Sequence, residues 1–210
     1  MKNSRRLPLI AALFVTMHLQ ALGDQPPRGV FPKTIEIDSV DRGEATPGQD
    51  SEPAPPVFTT LHLNGAGLCE WGIFGIDLYW AALYLEEKTG DSKTVIASEQ
   101  TKSFHMHFVR SLTREQMQEA YTASIKINAG KNLARYEKRL DQFVNLLTAM
   151  NEGDDLVFVF RPGRGLQVFV RDRLRGTIEG DDFGRLFFKL YFGPNPPDEN
   201  LKKGLLGQKS

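Results

Sequence analysis

Few side chains in this chain have types and spacings that could do chemistry. Cys69 is the only cysteine. It would act as a nucleophile only if a nearby base or cation stabilised its thiolate. Its neighbour Glu70 is acidic and would raise the thiol pKa, so a buried or turn cysteine is the plainer reading. His105 and His107 share one face of an alternating segment and could offer two imidazoles to a metal. A structural site needs about four ligands, and the segment carries no further Cys or His apart from distant His62, so no metal is expected. Gly65-Ala66-Gly67 could open a dinucleotide fingerprint, but Glu70 stands where the third glycine belongs and no suitable helix follows. It reads as a turn, and no cofactor is expected. Arg161, Arg164, Arg171, Arg173 and Arg175 cluster on a hairpin. They suit solvated strand edges or contact with an anionic surface. Trp71, Tyr79, Trp80, Met117 and Tyr121 form an aromatic and soft apolar set that either fills the core or lines a cleft.

These residues need elements to position them. Thr34–Asp38, Phe58–Leu63, Ile76–Glu86, Ser103–Arg110, Leu156–Phe160, Leu166–Val170 and Arg173–Ile178 read as strands. Phe104, Met106 and Phe108 alternate with His105, His107 and Val109, which assigns one face to the core. Arg161-Pro162-Gly163-Arg164-Gly165 reads as a hairpin turn. Thr113 and Gln116 form a capping box ahead of a helix whose Met117, Ala120, Tyr121 and Ser124 share a face. A second helix is expected from Asn132 to Met150, along the stripe Leu133, Tyr136, Leu140, Phe143, Leu147 and Met150. Asp181 or Asp182 is expected to cap a third through Tyr191, and Leu201–Leu206 a last short one. Strands at both ends of the chain with the longest helices between them argue an α+β fold, an antiparallel sheet with helices on one face.

The first 23 residues read as a signal peptide. Lys2, Arg5 and Arg6 form the basic region, Leu7–Leu19 the apolar one, and Ala21 and Gly23 the small residues before the cleavage point. A periplasmic or secreted protein follows, with no transmembrane span after cleavage. Losing the leader leaves 26 acidic against 23 basic groups, a formal charge of −3, which gives nucleic acid no electrostatic footprint. One cysteine permits no intrachain disulfide, so packing alone must hold the domain. Residues 24–57 are expected to hold an N-terminal strand and then, over 39–56, an acidic Pro-rich loop without periodicity.

Several blocks, in order, resemble the chalcone-isomerase-like family, in particular its bacterial, secreted, non-plant members. They are Leu63-Asn64-Gly65-Ala66-Gly67, Leu83-Tyr84-Leu85-Glu86, Met106 through Arg110 with Thr113-Arg114-Glu115, Gly153 to Gly165, Gly176 to Gly180, and Phe192-Gly193-Pro194 through Lys202. The resemblance implies one domain over 30–207. Its fold would be an open-faced β-sandwich, a curved antiparallel sheet with a helical layer on one face and an apolar cleft between. The family's plant enzymes close a flavonoid ring with an arginine just after Gly-Ala-Gly, a threonine on the next strand, and a tyrosine and an asparagine on the helix. Here Cys69, Tyr79, Met117 and Ser124 stand at those positions, and no arginine lies between Gly67 and Glu86. Removing an oxyanion-stabilising group costs roughly 3–4 kcal/mol of transition-state stabilisation, so no isomerase activity and no catalytic residue is expected.

The resemblance therefore implies a non-catalytic domain that binds a small apolar ligand, a fatty acid or an aromatic compound. Tyr79, Tyr121 and Ser124 would supply polar contacts. Met117 and Trp80 would line the cleft, with Cys69 a further candidate contact and Arg110 the nearest substitute for the lost cation. The alternatives are an isomerase or lyase on an unsaturated carbonyl compound, with Tyr79 as acid, and an envelope interaction module built on the acidic loop and the arginine hairpin.

Overall fold

The computed structural model describes residues 26–27, 29–38, 57–72 and 75–208. The expected signal peptide and acidic loop lie outside the described residues. Seven strands form a single antiparallel sheet in chain order: β1 (Thr34–Asp38), β2 (Phe58–Trp71), β3 (Ile76–Leu85), β4 (Lys102–Phe108), β5 (Asp155–Arg161), β6 (Gly165–Val170) and β7 (Arg173–Ile178). The helices are α1 (Ser92–Ala97), α2 (Arg114–Ala129), α3 (Leu133–Leu146), α4 (Asp181–Phe192) and α5 (Glu199–Leu205). The result is the expected α+β architecture, an open-faced sandwich in which a curved sheet carries its helical layer on one face.

Period-two patterning decides that face. Phe104, Met106 and Phe108 of β4, Leu156, Phe158 and Phe160 of β5, and Leu166, Val168 and Val170 of β6 all join the main core. The helices meet them with Tyr121 and Ile125 from α2, Leu140 and Phe143 from α3, and Phe183, Phe187 and Tyr191 from α4. Phe143 alone packs against the rings of Tyr121, Phe158, Phe183 and Phe187. The outer face holds a smaller cluster of Leu61, Ala82 and Tyr84, backed by Phe31, Ile35 and Ile37.

The capping box forms as the sequence predicts. Gln116 N donates to Thr113 Oγ1 at 3.2 Å, and Thr113 N donates to Gln116 Oε1 at 2.8 Å. This fixes the start of α2, which carries five cavity-lining residues.

Four expectations are corrected. Gly65-Ala66-Gly67 is not a turn but the middle of β2, with a bulge at Asn64. The glycines are needed because α5 crosses there backbone to backbone. A Cβ on Gly65 would collide with the Gly204 carbonyl and lie 2.7 Å from Gly207 N, and one on Gly204 would lie 2.6 Å from Ala66 O. The helix expected to reach Met150 ends at Leu146. Met150 turns away and exchanges backbone bonds with Leu112 at 2.8 and 2.9 Å. Neither Asp181 nor Asp182 caps α4, whose N-cap is Gly180. Asp182 instead takes a bidentate pair from Arg139 at 2.6 and 2.9 Å and one contact from Arg135, tying α3 to α4. Finally, α1 was not expected. Asp91 caps its start, and the buried ammonium of Lys102 donates to Val95 O and Ser98 O near its end, both at 2.8 Å.

Candidate functional site

β2 and β3 bring Cys69 opposite Tyr79, and β3 pairs Tyr79 with Phe108 of β4. Alternation then places Tyr79 on the helix-covered side. Across from it, α2 presents Met117 and Tyr121 one turn apart, and α4 presents Leu190 and Tyr191. These groups enclose a cavity of about 140 Å³, mostly apolar, between the sheet and the helical layer. Leu78, Met106 and Leu112 complete its wall, and Glu70, Trp71, Gln116 and Pro197 stand at its edge. Trp71 is 54 % exposed, so the edge opens to solvent.

Three phenols, a thiol and two thioethers share the interior. Tyr121 and Tyr191 are joined at 3.0 Å through their hydroxyls, and the Tyr121 hydroxyl also reaches Met106 Sδ at 3.4 Å. Tyr79 stands beside Cys69 on the paired strand and near Tyr191. The order is Cys69, Tyr79, Tyr191, Tyr121, Met106. Burial raises the pKa of every tyrosine in the row well above its usual range. Burial likewise pushes the Cys69 thiol up to about 12, against the opposing pull of its hydrogen bond with Tyr79; the charges of Asp198 and Glu70 push in the same direction as burial. All four groups are neutral near neutral pH, and Cys69 is a thiol rather than a thiolate nucleophile.

Five of the seven sequence-predicted site residues border the cavity: Cys69, Tyr79, Met117, Tyr121 and the half-buried Ser124. Two do not. Trp80 lies on the opposite face of the sheet, because adjacent strand residues point to opposite sides and Tyr79 takes the inner one. Arg110 lies outside the wall, where its Nε donates to Asp77 O at 3.2 Å. Among the described residues no lysine or arginine lines this cavity.

Tyr191 and Met106 are the residues that sequence reasoning missed. Tyr191 reads as part of the apolar stripe of α4, and the one signal was its hydroxyl in an otherwise hydrocarbon row. The two strand histidines are engaged on the outer face. His105 Nε2 meets Ser103 Oγ at 2.9 Å, and His107 Nδ1 meets Asp155 Oδ1 at 2.8 Å. Among the described residues no three His, Cys, Asp or Glu side chains converge as metal ligands, and no helix is long and apolar enough to cross a membrane.

A family model described as chalcone isomerase-like matches residues 52–207. The chain belongs to the chalcone-isomerase-like family. Among solved structures, this chalcone-isomerase-like protein is similar to a fatty-acid-binding protein of Arabidopsis thaliana. The TM-score is 0.60 at 16 % identity, over 70 % of this chain and 86 % of that one. At that identity the likeness speaks for the fold alone. A comparison with curated proteins finds no match.

Proposed function

We propose that this protein binds a small apolar molecule, a fatty acid or an aromatic compound, between its sheet and helical layer, and does no isomerase chemistry. The cavity carries the reading: it is mostly apolar, it lies between the two layers, and three phenols and a thiol, all neutral, stand within it. Ring closure onto an enone builds negative charge on oxygen that needs stabilisation, the resemblance gives the plant enzymes an arginine for it, and among the described residues the wall supplies neither guanidinium nor ammonium. An alternative with Tyr79 as a general acid is disfavoured, since burial raises its pKa further from neutrality.

The leader pattern of Lys2, Arg5, Arg6 and Leu7–Leu19 supports a periplasmic or secreted location. With the block from Met106 to Glu115, it supports a place among secreted bacterial members of the family. Native mass spectrometry of the purified protein, followed by solvent extraction, tests the binding. A discrete apolar compound near one-to-one stoichiometry is expected. An empty protein that shows no thermal shift with either fatty acids or aromatic compounds would overturn the proposal.

A further inference from the structure

The hydrogen bonds of the tyrosine row restrict what the cavity can accept. Cys69, Tyr79, Tyr191 and Tyr121 each own one donor proton. Two contacts of the row are hydrogen bonds: Tyr191 with Tyr121 at 3.0 Å and Tyr121 with Met106 Sδ at 3.4 Å. Met106 Sδ can only accept, so Tyr121 donates to it and Tyr191 donates to Tyr121. The reverse direction leaves Met106 without a donor. The joined pair therefore has no donor to spare. What it keeps is lone pairs on the hydroxyl oxygens, each of which can accept a second bond.

The opening adds a charge preference. Glu70 stands at the edge, and its backbone N–H donates to Asp198 Oδ2 at 3.2 Å, which holds a second carboxylate beside it. An incoming carboxylate meets two like charges at the entrance and, among the described residues, no cation on the wall. Burying an unpaired ion is far more costly than burying a neutral polar group with a partner. Size narrows the choice further. Pockets for drug-sized ligands run to roughly 300–1,000 Å³, whereas an engineered cavity of about 150 Å³ takes benzene. At about 140 Å³ this one has room for a single ring with a short substituent.

We propose that the cavity selects a neutral single-ring phenol, which donates its hydroxyl proton to a tyrosine oxygen, and that it rejects free carboxylates. This rests on the binding reading above and names its ligand class. Calorimetric titration of the purified chain near neutral pH with 4-ethylphenol, ethylbenzene and 4-ethylbenzoate tests it. The expected result is that 4-ethylphenol binds at least about tenfold more tightly than 4-ethylbenzoate and severalfold more tightly than ethylbenzene. Tyr191→Phe should shrink the advantage over ethylbenzene while ethylbenzene binding stays. Equal or tighter binding of 4-ethylbenzoate would overturn the ligand class and leave the binding reading intact. Equal affinity for the phenol and ethylbenzene would overturn the role of the donated proton. Failure of all three to bind would overturn this ligand class, and the binding reading would then stand or fall on the extraction and fatty-acid experiment above. The three-ligand comparison needs no variant, so it stands even if Tyr191→Phe misfolds.

Discussion

On the inner face of the sheet, Tyr79, Tyr121 and Tyr191 pool their hydroxyls into one row beside an open volume. On the outer face of the same strands, polar side chains settle locally. Ser103 meets His105, His107 meets Asp155, and the Tyr84 hydroxyl donates to Pro32 O at 3.0 Å. His107–Asp155 ties β4 to β5, Tyr84–Pro32 ties β3 to the N-terminal segment, and Ser103–His105 stays within β4. The inner row is also hydrogen-bonded, yet it lies where packing leaves room. The difference lies in placement: polar groups that face a cavity together can address a ligand, and those that pair along a surface cannot.

The energetics of the two faces should differ most in the core. Phe143→Ala, from α3 onto the inner face, should cost about 3–5 kcal/mol, because Phe143 is fully buried among four rings. Val157→Ala, half-buried on the outer face of β5, should cost about 1 kcal/mol. Urea unfolding of both variants measures the contrast, and equal losses would erase it.

Acid should separate the two sides by pH window. Burial on the outer face lowers the His105 pKa from 6.5 to about 4. The unfolded chain then takes up a proton before the folded one does. The stability this site confers is complete above about 6.5 and falls as pH drops towards 4, by on the order of 2 kcal/mol after discounting for partial exposure. On the helical side, the bidentate Arg139 holds Asp182 down at about 2, from 3.8. Its contribution is present above about 4 and is lost as pH falls to about 2, again on the order of 2 kcal/mol. Stability measured against pH should show both steps. His105→Gln should remove the first and Asp182→Asn the second. A single step abolished by either substitution would contradict the assignment.

Much of this was legible in the sequence because it is local. Alternation in β4 and β5, the Thr113–Gln116 box and the Arg161–Gly165 hairpin are each written in a few neighbouring residues. The misses share a tertiary cause. Gly65 and Gly67 look like a turn until α5, more than a hundred residues later, is laid against them. Asp182 looks like a cap until Arg139 is brought across from α3. The six-residue α1 is too short to show a period, and its closing ammonium comes from Lys102 on the next strand. Within the site, Tyr79 and Trp80 are adjacent aromatics on one strand. Only one can face the cavity, and composition does not say which. Tyr191 was hidden in a stripe that also builds core, so its hydroxyl carried the information and its ring concealed it.

The two tryptophans of the chain report on the two faces. Trp71 stands at the cavity edge, and Trp80, only 3 % exposed, lies on the opposite side of the sheet. Met106 and Met117 line the cavity interior. The most direct measurement is therefore an NMR titration with 4-ethylphenol, following the two indole N–H signals and the methionine methyls together. The account predicts saturable shifts of Trp71, Met106 and Met117 while Trp80 stays in place. Shifts confined to Trp80, or equal movement of both indoles without the two methyls, would contradict it.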